Sequence, residues 1–290
     1  MSTLALLLTQ SVNALSQSAL LFFLGVGLTL IFGLMRIVNV AHGSFYMLGA
    51  YIAFGLLSTL NSQIVAYILA IGAVALFGAL LQAFLIERVR TDSLRQILLT
   101  FGVVLVVGDL ALMFWRGVPA ALPVPEFLSG RIQLGTVTFP VYRLFVIGVG
   151  LTIAIALDIA QSRTRVGAMI RAGADDLTML ACMGINVRLL FVGVFAFGAA
   201  LAGLGGVLGG MFLGVYPGID LDIGTLAFVV VIVGGLGSMR GTFAASILIG
   251  LLDNATKAYL PELSLFAIYL LMVVVLAFRP TGLFAQRRLA

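Results

Sequence analysis

Residues 64–86 read IVAYILAIGAVALFGALLQAFLI, residues 87–94 read ERVRTDSL, and residues 95–115 read RQILLTFGVVLVVGDLALMFW. The first piece carries no charge, and the third carries only Arg95 at its start and Asp109 inside it. A helix rises about 1.5 Å per residue, so roughly 20 apolar residues cross a hydrocarbon core about 30 Å thick. Two such pieces joined by a short connector holding Arg88 and Arg90 therefore read as two membrane helices meeting on one side of a bilayer. A closed strand barrel would instead show alternating segments of about 10 residues, and the chain offers none.

Comparable stretches occupy residues 11–34, 44–60, 64–86, 95–115, 140–160, 188–213, 223–237, 242–258 and 263–279. The seventh is short and glycine-rich. The expected fold is an all-α polytopic integral membrane protein with one transmembrane domain over residues 1–290, having eight crossings plus a broken or re-entrant element, or nine. Composition agrees: 9 % of the residues are charged and 62 % hydrophobic, whereas a soluble domain is about a quarter charged. Residues 3–16 read either as an outer interfacial helix or as an extra crossing. The N-terminus has no basic n-region and no convincing small-residue cleavage site, so no cleaved signal peptide is read there.

Charge sets the orientation. If odd-numbered spans run inward, the inner connectors hold Arg36, Arg88, Arg90, Arg95, Arg163, Arg165, Arg171, Arg188, Arg240, Arg279, Arg287 and Arg288, most of the 16 basic residues. Only Arg116, Arg131, Arg143 and Lys257 lie elsewhere. The positive-inside rule then puts the N-terminus outside and the C-terminus in the cytoplasm. It also explains the +5 net charge without a nucleic-acid partner.

Two connectors are too long for turns. Residues 116–139, with Pro119, Pro123, Pro125 and Gly130, read as an external irregular loop or short hairpin. Residues 161–187 are internal and polar, and place Ala168, Met169, Ala172, Leu177, Leu180 and Met183 at near-helical spacing with Asp175 and Asp176 exposed between them. This predicts an amphipathic helix pair. A helix resting on lipid is usually Lys/Arg-rich; here acids and arginines mix, which favours a soluble protein partner.

Two glycine-containing breaks interrupt the apolar pattern. One is VNVAHGSF, with Asn39, His42, Gly43 and Ser44, where Ser44 is placed to cap the following helix. The other is VGGLGSMRGTF, with Gly234, Gly235, Gly237, Ser238 and Gly241. Broken helix at membrane depth is tolerated where it is buried in protein or lines a wet cavity, and paired discontinuous helices point to a transport path. Asn39, His42, Gly43, Ser44, Gly234, Gly235, Gly237 and Ser238 are therefore the candidate path residues, the alternative for His42 being a satisfied interfacial histidine. Leucine at Gly235 or Gly237 is expected to block transport more than leucine at Gly250. Asp109, Asp158 and Asp253 are the acids inside spans, each a functional candidate by default. Asp253 joins the path set, with helix pairing as its competing role.

The sole histidine, His42, and sole cysteine, Cys182, exclude an intrachain disulfide and a metal site built from Cys and His. No phosphate-binding glycine loop, H-E-x-x-H helix or Gly-x-Ser-x-Gly elbow occurs. The expectation is a transport subunit without a catalytic site or cofactor of its own, driven by another chain if it moves solute uphill.

The segments GLTLIFGLMRIVNVAHGSFYMLGAYIA (27–53), IERVRTDSLRQILLTFG (86–102), RTRVGAMIRAGADDLTMLACMGINVRLLFVGVFAFGAALAGLGGVLGG (163–210), VVIVGGLGSMRGTFAASILIGLLDNATKAYLP (230–261) and RPTGLF (279–284) resemble LivH-type permeases, the membrane subunits of branched-chain amino acid ABC importers. That family also includes urea and short-amide relatives. The resemblance covers most of the chain in the family's order. It implies a bacterial inner-membrane location, a second permease subunit forming a homo- or heterodimer, two cytoplasmic ATPases that bind ATP and Mg, and an external substrate-binding protein. It further implies that the 161–187 loop couples to the ATPases, through Arg163, Arg165, Gly167, Arg171, Asp175, Asp176, Gly184 and Asn186. The competing class is an ion-coupled secondary transporter of small polar solutes, which the isolated acids disfavour; a structural membrane scaffold without a path is the third.

Overall fold

The computed structural model describes residues 3–134 and 137–284. Helices α1 (Thr3–Met35), α2 (His42–Leu57), α3 (Gln63–Phe84), α4 (Ser93–Trp115) and α5 (Val141–Arg163) are followed by the short α6 (Arg165–Asp175) and α7 (Leu177–Cys182). Then come α8 (Val187–Phe212), α9 (Ile219–Gly234), α10 (Met239–Tyr259) and α11 (Ser264–Phe278). Each of the nine apolar stretches is helical. Among the described residues six helices are long and apolar enough to span a bilayer, α2 is shorter, and α9 and α10 form a pair bent by 118° at the break between them.

The bundle is built around α1. From Ala19 to Met35 this helix has apolar residues on all sides, and a helix without a polar face buries its whole circumference; Phe23, Leu24, Val26, Leu28 and Ile31 are all buried. It packs against α5, α8, α9 and α10. Little hydrophobic gain comes from burying apolar surface out of lipid, so close van der Waals approach of small residues holds such helices together. A Cβ on Gly27 would lie 2.6 Å from the Gly198 carbonyl of α8, and one on Gly25 would lie 2.8 Å from Val230 of α9. Residues 3–16 are neither a separate interfacial helix nor an extra crossing: they continue α1, because no glycine or proline interrupts them.

Residues 116–134 and 137–140 fold back over one end of the bundle. Strands β1 (Arg131–Leu134) and β2 (Val137–Pro140) pair antiparallel. Ahead of them the chain is anchored by Tyr67, which donates to the Pro123 carbonyl at 2.5 Å, and by Leu122 N–H, which donates to Gly210 O at 3.1 Å. The expected short hairpin is present, tied to α3 and α8.

Candidate translocation and coupling sites

At the first break, the Arg36 backbone adopts a left-handed φ of 54° after its N–H bonds Phe32 O. This reverses the chain, and residues 37–41 run without helix back alongside α1. Their backbone polar groups need partners at membrane depth, and α4 and the segment itself supply them. Val40 N–H donates to Thr100 Oγ1 at 3.3 Å, while Asn39 Oδ1 accepts from Ala41 N at 3.1 Å. Ser44 does not cap α2, which has no side-chain cap. Its hydroxyl instead donates to Asp220 Oδ2 at 3.0 Å, an acid at the start of α9.

His42 reaches the Leu24 carbonyl of α1 at 3.0 Å through Nε2. A carbonyl only accepts, so Nε2 carries the proton. Leu24 lies eleven residues before the end of α1, about 16 Å along the axis, so α2 starts well inside the bundle. The imidazole fits because Gly27 leaves room: a Cβ there would lie 3.0 Å from the ring. Gly43 lets α2 meet α9 backbone to backbone, since its Cβ would overlap the Asp220 carbonyl and lie 2.9 Å from Gly224 Cα. Asn39, His42 and Ser44 are 0 % exposed, so in this conformation they hold the bundle together and do not face a cavity.

The second break packs on α1 at a different level from His42. Gly234 ends α9, Gly235 and Gly237 take φ of 103° and 83°, and Ser238 caps α10 by accepting from Gly241 N–H. Both breaks pack on α1, but the second meets Gly33, nine residues and about 14 Å further along the helix than Leu24. Residues Leu283 and Phe284 of the RPTGLF segment donate backbone hydrogen bonds to Val233 O and Gly234 O, clamping the turn. Ser238 lines a groove of about 650 Å³ shared with Arg171 of α6 and Asp158 of α5. The second break thus belongs spatially to the helix-pair segment.

In that segment α6 and α7 form the expected pair, and the expected apolar face packs in part: Leu180 is buried and Met169 and Leu177 are half-buried. Gly167 and Gly173 are buried on α6, and Leu180 on α7, whereas Ala168, Ala172 and Met183 are exposed. Glycine wins because it permits contact with α1: a Cβ on Gly173 would lie 2.8 Å from Leu34. Arg36 Nη2 donates to Ala174 O at 3.3 Å, tying the same two elements. Thr164 caps α6 through Gly167 N–H, Asp176 caps α7 through Thr178 N–H and Met179 N–H, and Asn186 caps α8 through Leu189 N–H. Gly184, at φ 79°, turns the chain into α8. Arg163, Arg165, Arg171 and Asp175 are exposed. An apolar cavity of about 570 Å³, lined by Leu157, Ile170, Leu190 and Phe197 among others, lies between this segment and the long helices.

Asp253 is 4 % exposed and accepts from Lys257 Nζ at 2.6 Å and from Ser264 Oγ at 2.8 Å, joining α10 to α11. Helix pairing is the role these contacts support. Asp158 forms an ion pair with Arg240 at 2.8 Å across α5 and α10. Asp109 faces outward from α4. The buried acid absent from the sequence-based set is Asp220. The signal for it was IDLDIG: two acids opening an apolar run mark a helix N-terminus, where negative charge is favoured, and α9 indeed begins at Ile219.

The profile of the family described as "Branched-chain amino acid transport system / permease component" matches residues 10–276. The chain belongs to this family. Its relatives include the high-affinity branched-chain amino acid transport system permease protein BraD of Pseudomonas aeruginosa, 29 % identical with 96 % of each chain covered. LivH of Escherichia coli is 26 % identical with the same coverage, and LivM of Escherichia coli is 26 % identical over 96 % of this chain and 71 % of that protein. Among solved structures, PsaBC from Streptococcus pneumoniae in complex with Fab aligns with a TM-score of 0.51 over 90 % of this chain and 87 % of that one. At 14 % identity that likeness concerns the fold. This branched-chain permease family member is thus a multi-pass membrane protein and a transport subunit.

Proposed function

We propose that the chain is the permease subunit of an ATP-binding-cassette importer for branched-chain or related small amino acids, in the bacterial inner membrane with its C-terminus in the cytoplasm. It pairs with a second permease subunit; two cytoplasmic ATPases bind ATP and Mg, and an external binding protein delivers the solute. The observation that carries this reading is the family match across residues 10–276. The α6–α7 pair supports it, being polar, arginine-flanked and keyed into α1 by Gly173 and Arg36. A displacement imposed on α6–α7 by an ATPase passes directly to α1. From there it reaches the first break through the Leu24–His42 bond and the second through the Gly33–Gly237 contact. Rigid packed elements with such contacts are the physical carriers of coupling.

Co-expression with the ATPase, second permease and binding-protein genes tests the reading. The complex should purify as a unit, and in proteoliposomes ATP hydrolysis should rise when the binding protein carries leucine. Uptake that survives ATP removal and collapses with an ionophore would make the chain a secondary carrier instead.

Orientation has its own test. In a Cys182→Ser background, cysteines introduced at Thr91 and Gln286 should react with an impermeant reagent only from the cytoplasm, and one at Ser129 only from outside. Gln286 lies outside the described residues; Thr91 and Ser129 are exposed. Reaction of the Ser129 position from the cytoplasm would reverse the proposed topology.

A further inference from the structure

Asp158, Asp220 and Asp253 all have polar partners within the bundle. Asp109 has none among the described residues. It sits six residues before the end of α4, about 9 Å inside that end, with Leu110, Leu112, Met113 and Phe114 beyond it. The buried stripe of α4 is Gln96, Thr100, Val104, Val107 and Ala111, and at about 100° per residue Asp109 falls on the opposite side of the helix. Exposed Leu98, Leu105 and Met113 share that outer stripe. Gly102 lies there too, with nothing within 4 Å of where its Cβ would be.

A lone carboxylate facing acyl chains at this depth is costly, and such groups turn toward a protein partner or a water-filled path. Building on the importer reading above, we propose that the outer stripe of α4 is a wall of the solute path at the junction with the second permease subunit. Asp109 there receives the ammonium group of the amino acid. The solute has one cation and a branched hydrocarbon side chain; the stripe offers one anion among aliphatic side chains. The carboxylate pairs with the ammonium while Leu105 and Met113, one turn to either side, flank the side chain. The hollow at Gly102 leaves the wall unobstructed two turns further along.

The test uses the full complex of permeases, ATPases and binding protein in proteoliposomes, in the Cys182→Ser background. Asp109→Asn is expected to lower leucine uptake at least tenfold while the ATPases remain bound, and Asp109→Glu is expected to restore part of the uptake. Asp109→Cys should react with a cationic water-soluble thiosulfonate, more slowly when leucine-loaded binding protein and ATP are present. An Asp109→Leu complex that takes up leucine at the wild-type rate would overturn the proposal, as would an Asp109→Cys thiol that stays unreactive in the assembled complex, the result expected of a lipid-facing or partner-sealed position. If Asp109→Asn fails to assemble, Asp109→Glu and Asp109→Cys carry the same readouts. Failure of the importer reading is distinguishable: the wild-type complex itself would then show no ATP-dependent amino-acid uptake.

Discussion

Gly43→Ala is expected to lower the thermal midpoint of the detergent-solubilised permease by roughly 10 °C or more, and Gly72→Ala to leave it unchanged or raise it. The added methyl at Gly43 would overlap the Asp220 carbonyl and lie 2.9 Å from Gly224 Cα. Both obstacles are backbone, so no side-chain rotation relieves them; α2 must separate from α9. Overpacking costs about 1–3 kcal/mol. Separation also strains the Ser44–Asp220 bond, and a hydrogen bond to a charged group contributes about 1.5–3 kcal/mol. Against a total stability of about 5–15 kcal/mol the two losses are large, and each 1 kcal/mol moves the midpoint by about 2–4 °C in a chain of comparable size. Gly72 has nothing within 4 Å of its Cβ direction, so alanine there gains only helix propensity, about 0.5–1 kcal/mol. Size-exclusion recovery after heating reads both variants. A Gly43→Ala midpoint within 2 °C of wild type would show that α2 and α9 have room to spare.

The spans were legible in the sequence because lipid allows few solutions. Backbone groups in hydrocarbon must bond within a helix, so each long apolar stretch had one conformation open to it. The destination of the first break was not legible. Nothing in VNVAHGSF states that Ser44 will find Asp220, because the partner comes from a helix 176 residues away. Asp220 itself was hidden beside the VYPG turn, where polar residues read as connector. The break residues were found as a set, yet the structure separates them: Asn39, His42 and Ser44 are buried at the centre, while Ser238 lines a groove with Arg171 of α6.

Glycine shows the same limit. Spacing does not tell a glycine needed for positive φ from one needed for close approach. Gly235 and Gly237 are the first kind, with φ of 103° and 83°, so leucine there strains the turn whatever lies around it. Gly250 is the second kind: its Cβ would lie 2.9 Å from the Ser18 backbone of α1. Leucine at Gly250 therefore disrupts the α1–α10 contact and is no neutral reference for the turn. Gly148, with nothing within 4 Å, serves that purpose.

The α6–α7 segment yields the other large effect. Asp175→Arg combined with Asp176→Asn is expected to abolish ATP-driven uptake while the permease inserts and melts as the wild type does. The two acids look equivalent in sequence but differ in structure. Asp175 is exposed at the end of α6, whereas Asp176 accepts from Thr178 N–H at 2.7 Å and Met179 N–H at 3.0 Å as the cap of α7. Reversing Asp176 would remove a cap contributing about 1 kcal/mol from a helix of 6 residues, mixing a folding defect with a docking defect. Asparagine keeps the acceptor and removes only the charge. Arginine at Asp175 then reverses the charge at that point of the surface offered to the ATPase and leaves the arginines around it without an opposite charge, and a mismatch of charge across an interface suppresses binding. Uptake should fall at least tenfold, and the ATPases should no longer co-purify. Gly173 and Leu180 still seat α6–α7 on the bundle in this variant, so a loss of uptake with an unchanged melting point locates the defect at the docking surface, and normal uptake with normal ATPase recovery would remove α6–α7 from the coupling route.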